Sequence, residues 1–226
     1  MSNNLNCIAI EGNIGVSDYI EYDKKVETPY SNQRVQLLHH TPLEIADQAI
    51  GKCWDKPPGD SVNTERMERV ANKFKHASTI EHLVYSFDIT MSRACLQEMA
   101  RHRIASISVK STRYTLKELK DTKLITDDDY YKYIIKVSPT IDVVNMRQLD
   151  KLQDILLNGM SNDKAKYCLP EAYKTSLVWT VNARSLQNFL ALRTSKSALW
   201  EIREIAYAIY YQIPKAHRFL FKDLIT

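Results

Sequence analysis

LVYSFDITMSRACLQEMAR, residues 83–101, sets a strand and a helix back to back. Leu83, Tyr85, Phe87 and Ile89 alternate with Val84, Ser86 and Asp88, the period of a strand half-buried on a sheet. Ser92 then stands where a helix N-cap belongs, because its short hydroxyl accepts from the open amides of a first turn. The helix it starts carries Leu96 and Met99 and ends near Arg101.

Downstream, residues 104–115 read as a loop or irregular strand rich in hydroxyls, followed by a Lys- and Asp-rich surface stretch. A long helix fits about residues 140–158, and another starts near Asn162 and stops before Pro170. Tyr173–Val181 reads as a second strand, and residues 185–213 as two helices broken near Thr194 and Ser195. Upstream, Thr41-Pro42 signals a helix start with Ile45, Ala46 and Ala49 as its apolar stripe. Trp54–Gly59 reads as a loop, and a further helix runs from about Asn63 to Lys75. The pattern predicts one α+β domain over residues 34–226, with helices packed around a small, mostly antiparallel sheet. Residues 1–33, with Gly12, Gly15 and Pro29 but no sustained period, read as an N-terminal extension. Within it, IAIEGNIGVSD superficially resembles a phosphate-binding loop, yet Ser17, Asp18 and Tyr19 fill the places of its Gly-Lys-Ser. A strand with a turn is the better reading.

The chain has 226 residues, 44% apolar and 26% charged, which is enough to bury a substantial core and excludes a disordered or fibrous protein. No apolar run approaches the roughly 20 residues of a spanning helix, so no membrane role is expected. A net charge of +4 is too mild for a duplex-DNA binder and suits small phosphorylated ligands. Cys7, Cys53, Cys95 and Cys168 show no metal-ligand spacing and no signal peptide precedes them, which predicts a reduced, cytoplasmic protein without a metal.

Three polar groupings stand out. RHRIASISVKSTRY, residues 101–114, combines Arg101, His102, Arg103, Lys110 and Arg113 with Ser106, Ser108, Ser111 and Thr112. Fork-shaped guanidinium donors with short hydroxyls and close-spaced amides suit a phosphate, although Arg101 and Arg103 could merely complement a helix C-terminus. In NARSLQNFLALR, residues 182–193, a helical stripe of Leu186, Phe189 and Leu190 runs on to Arg193, placing a guanidinium on an apolar face. Such an arginine needs either a buried carboxylate or a ligand, and Arg184 and Asn188 lie on the opposite face. HASTIEH, residues 76–82, offers His76, Ser78, Glu81 and His82 either for proton transfer or as capping and core groups.

In this order and spacing the three stretches resemble the flavin-dependent thymidylate synthase family. Its signature is Arg-His-Arg, seven residues, then Ser, here Arg101–Arg103 and Ser111. The resemblance covers about residues 36–224 and implies a homotetramer with active sites at subunit interfaces. It implies FAD as cofactor, NADPH and methylene-tetrahydrofolate as co-substrates, and methylation of dUMP at C5 to give dTMP. NADPH reduces the flavin, the folate gives the one-carbon unit, and the reduced flavin gives the hydride. By the same resemblance Arg193 activates the uracil. Ser78, Arg101, His102, Arg103, Val109, Asn182, Ala183, Arg184 and Asn188 match flavin-binding positions. Glu98, Arg101, Val109, Lys110, Ser111, Thr112, Arg113, Lys166 and Arg193 match dUMP-binding positions, and His76 a place beside the flavin.

There are departures. Ser108 and Val109 stand where Asn-Glu is common, leaving backbone amides at Val109, Lys110 and Thr112 for dUMP. Glu98 stands where Gln is common, and Lys166 where Arg is common, which keeps charge but loses a fork. The Val109 and Glu98 departures also admit a catalytically inactive FAD- and dUMP-binding homologue, and the basic loop with the 13 tyrosines as stacking platforms admits a single-stranded nucleic-acid binder. Cys168, in YCLP, lacks the Pro-Cys-His setting of a nucleophile and is predicted to be an inert thiol on a helix.

Overall fold

The computed structural model describes residues 32–56, 59 and 61–226, so the glycine-bearing segment 8–18 lies outside the described residues. Four strands, β1 (Arg34–His40), β2 (Val84–Ser92), β3 (Ser106–Val109) and β4 (Lys174–Asn182), form one antiparallel sheet in the order β1-β2-β4-β3. The described helices are α1 (Leu43–Lys52), α2 (Thr64–Glu68), α3 (Arg93–Ala100), α4 (Thr112–Thr115), α5 (Asp127–Tyr131), α6 (Pro139–Leu157), α7 (Asn162–Ala165), α8 (Ala183–Arg193) and α9 (Trp200–Gln212), with short 3₁₀ turns between them.

The alternation read from Leu83 to Ile89 fixes the sheet's inner face. Tyr85, Phe87 and Ile89 lie opposite Val181, Trp179 and Leu177, all buried, and the apolar sides of α3, α8 and α9 close over them. The other face is hydroxylic, with Ser86 Oγ and Thr180 Oγ1 2.8 Å apart. A second core lies under α6, where Leu149, Leu152 and Leu156 meet Leu116, Leu119, Ile134 and Tyr173.

Both central strands run directly into capped helices. Ser92 Oγ accepts from Cys95 N at 3.0 Å, as its position in the sequence requires, and Asn182 Oδ1 accepts from Ser185 N at 2.8 Å. Because β2 and β4 are antiparallel, α3 and α8 start from opposite ends of the sheet and return past each other.

Five stretches differ from the sequence reading. β1 was not foreseen, since its Leu37 and His39 flank a register irregularity that breaks the alternation; the Leu83–Ile89 strand is therefore the second. The helix read over Asn63–Lys75 is α-helical only to Glu68 and continues as a π-helix over Arg69–Lys73, a wider turn that the 3.6 period does not reveal. Residues 104–115 resolve into β3 and the single turn α4, and the Asp-rich surface stretch holds α5, started by a Thr126–Asp129 capping box. The helix from Asn162 is one α turn followed by a 3₁₀ turn, Lys166–Cys168. Asn32 is tied to the fold, donating to Tyr131 O and Ile134 O at 2.9 Å. No described helix is long and apolar enough to cross a membrane.

Candidate active site

Arg193 is the last residue of α8, one turn beyond the fully buried Phe189 and Leu190, and its side chain is only 13% exposed. The guanidinium is held by α3: Nη1 donates to Glu98 Oε2 at 2.8 Å and Nη2 to the Glu98 backbone oxygen at 3.0 Å. The carboxylate expected for an arginine on this face is therefore Glu98. Its other oxygen lies 3.3 Å from Arg101 Nη1, which is mostly exposed, so one carboxylate serves two arginines. Arg193 Nε is buried without a partner.

A second tie joins the same helices. His102 Nε2 is 2.8 Å from Ser185 Oγ, and that hydroxyl donates to Ile104 O at 2.7 Å. A hydroxyl has one proton, so His102 must donate and carries its hydrogen on Nε2. The ring stands edge-on to Trp179 and Phe189, with centroids at 5.7 and 5.4 Å. Burial, and then the Arg193 charge, depress its pKa and keep it neutral. A third tie, Ser92 N to Glu201 Oε1 at 2.7 Å, joins α9 to the start of α3; burial raises the Glu201 pKa. The ties at 92–201, 98–193 and 102–185 run in order along α3 and hold the start of the Arg101–Ser111 stretch.

Around the N-terminus of α8 the exposed residues are Arg184, Asn188, Ser78 and His76. Arg184 pairs with Glu81 at 2.7 Å, so this carboxylate of HASTIEH is engaged in an ion pair. Asn182 is used as the cap, and Ala183 is buried. Arg103 is exposed and has no ion-pair partner among the described residues.

The remaining cations lie beyond the far end of β3. Lys110 Nζ is 3.3 Å from Glu118, Arg113 Nε is 3.2 Å from Asp163, and Asn162 donates to Arg113 O at 2.9 Å, which ties α4 to α7 and Lys166. Ser111 precedes α4 and is exposed. The Lys110 amide donates to Ser176 O at 2.8 Å, so it is not open to a ligand and this residue offers its side chain instead. Among the described residues no hydrogen bond or ion pair joins this group to the Arg193–Glu98 group. In sequence β3 lies between the two groups, a strand of 4 residues and so about 13 Å long.

In the sequence Glu98 stands out without its partner: the spacing of three to Arg101 at a helix end signals that pair but not the one with Arg193. Ser185 was missed, although Asn182 followed by Ser185 has the spacing of a capped first turn. Glu201 was also missed, since nothing local marks a carboxylate that a distant turn will bury. Cys168 lies in a 3₁₀ turn rather than an α-helix, part-buried against the second core. Among the described residues no cluster of His, Cys, Asp or Glu is arranged to hold a metal.

The chain is similar to known proteins over most of its length. The family model described as thymidylate synthase complementing protein matches residues 31–217. The chain is 53% identical over 196 residues to a flavin-dependent thymidylate synthase of Wolinella succinogenes, covering 83% of this chain and 96% of that protein. It is 49% identical over 201 residues to one from Campylobacter jejuni, covering 85% and 97%. A crystal structure of thymidylate synthase X from Helicobacter pylori with FAD and dUMP superposes with a TM-score of 0.79 at 42% identity, over 85% of this chain and 98% of that one. With its Arg-His-Arg segment tied across α3 and α8 and its likeness to these proteins running over 83–85% of its length, the chain belongs to the flavin-dependent thymidylate synthase family.

Proposed function

We propose that residues 34–226 catalyse the reductive methylation of dUMP to dTMP, with methylene-tetrahydrofolate as one-carbon donor, FAD as cofactor and NADPH as reductant. The observation that carries this reading is Arg193, a nearly buried guanidinium with an unpartnered Nε, placed on the apolar side of α8. A donor held there favours negative charge developing on the pyrimidine as C5 becomes nucleophilic.

The residues present suit FAD. Unpaired Arg103 and the exposed Arg184 offer cations for its pyrophosphate, and Ser78 and Asn188 offer polar contacts beside them. Arg101, Val109 and Asn182 complete the flavin-binding set, and His76 flanks it; Ala183, fully buried with its amide donated to Leu83 O at 2.8 Å, is closed to a ligand. His102 has its Nε2 committed to Ser185, so its part is to hold Arg101 and Arg103 in place and to offer its other ring edge. When bound, the flavin supplies the hydride that converts the one-carbon unit into a methyl group. For dUMP, Arg113 and Ser111 bind the phosphate, supported by Lys110, Thr112 and Lys166, while Glu98, Arg101, Val109 and Arg193 face the nucleoside.

Sites assembled at subunit interfaces of a homotetramer would bring to one nucleotide the Arg113 and Arg193 groups, which keep separate polar partners within one chain. The N-terminal extension, placed at residues 1–33 from the sequence, gives up Asn32 and Gln33 to the fold, and a cytoplasmic location fits the composition.

The test is anaerobic incubation of the protein with dUMP, methylene-tetrahydrofolate, NADPH and FAD, omitting each in turn. Formation of dTMP that stops when flavin or reductant is withheld is the expected result. Folded, FAD-binding protein that makes no dTMP would establish the inactive homologue instead.

A further inference from the structure

We infer that Glu98 is an exchangeable counter-ion for Arg193, which the pyrimidine of dUMP must displace, so that this carboxylate sets how tightly the base is bound. The inference rests on the dUMP reading above. Arg193 has one grip from the Glu98 carboxylate, at 2.8 Å, and an independent grip from the Glu98 backbone oxygen, at 3.0 Å. The second fixes the guanidinium whatever side chain stands at 98. The first neutralises the charge that the base needs.

Displacement is feasible because the carboxylate has somewhere to go. It is already 3.3 Å from Arg101, its side chain is 26% exposed against 13% for Arg193, and it stands near the end of α3. Movement toward Arg101 keeps the carboxylate paired while Arg193 Nη1 is freed for a uracil oxygen. A neutral amide at 98 would hydrogen-bond without opposing negative charge on the ring. A carboxylate makes the free site self-satisfied, and apparent affinity falls by the fraction of time Arg193 is paired.

The test compares wild type, Glu98→Gln and Glu98→Ala, all FAD-loaded, by calorimetric titration with two probes. One is dUMP; the other is 2-deoxyribose 5-phosphate, which has the phosphate but no base. Both variants are expected to bind dUMP about tenfold more tightly and the sugar phosphate unchanged, and the gain is expected to vanish in an Arg193→Ala background. Equal tightening of both probes would reduce the effect to general removal of negative charge, and weaker or unchanged dUMP binding would make Glu98 a direct contact or a bystander; each overturns the inference. Flavin absorbance and melting temperature identify a misfolded variant, and the other substitution then decides. Failure of wild type to bind dUMP at all would instead strike the functional reading.

Discussion

Replacing Ser185 by Ala removes one oxygen on which two partners depend. His102 Nε2–H, wedged between Trp179 and Phe189, loses its acceptor, and Ile104 O loses its donor. An unsatisfied buried donor costs about 1–3 kcal/mol and a lost hydrogen bond at the margin about 0.5–1.5. The Ile104 side chain is largely exposed and water replaces part of its bond, so the sum is about 2–3 kcal/mol. In a chain of this length each kcal/mol corresponds to about 2–4 °C, which places the fall in melting temperature at about 4–12 °C. The assay is urea and thermal unfolding of the FAD-loaded protein at one fixed concentration, with flavin affinity measured in parallel. Flavin affinity is expected to drop several-fold, because the loosened turn carries Arg101 and Arg103. Ser185→Thr, which retains a hydroxyl, is expected to recover most of both. A loss of stability under about 0.5 kcal/mol in Ser185→Ala would refute the assignment of His102 as a donor locked to Ser185.

Arg193→Ala is expected to abolish dTMP formation, while Cys168→Ala keeps much of the activity; a dead Cys168 variant with normal flavin content would overturn the assignment of roles. His217 is buried, 2.8 Å from Tyr85 OH and edge-on to His40 at 4.9 Å, and burial with the His40 charge pushes its pKa down to about 4. The unfolded chain takes up a proton below pH 6.5 and the native chain does not, so this contribution is full above that value. It is lost as pH falls toward 4, by about 3 kcal/mol. Urea unfolding across that range should show the decline, and His217→Gln should flatten it.

How much of this was legible in the sequence depends on whether the cause was local. Leu83–Ile89 and Tyr173–Val181 announce strands because each buries one face, and Ser92 announces a helix because capping needs only neighbours. Arg193 was marked by its own helix as out of place. Its partner was invisible, since Glu98 meets Arg193 only once antiparallel β2 and β4 send α3 and α8 past each other. The same is true of Ser185, an unremarkable serine until the chain returns His102 to it. Glu201 requires α9 to fold onto the start of α3. β1 escaped because a register irregularity interrupts its alternation, and the π-helix because its turn has a different period.

The second core under α6 has its own consequence. Its apolar packing forms a cluster separate from that of the sheet, and polar ties such as Arg93 N to Tyr173 O at 3.0 Å, Lys174 N to Tyr133 O at 2.7 Å and Asn32 to Tyr131 O and Ile134 O at 2.9 Å join the two. Such a unit opens and recloses by itself, at a lower free energy than the whole molecule. Amide hydrogens of α6 should therefore exchange with deuterium before those of β2 and β4. In those openings Arg113 is released while Arg193 stays held, so a nucleotide that bridges the two as proposed is expected to slow exchange in α6 first.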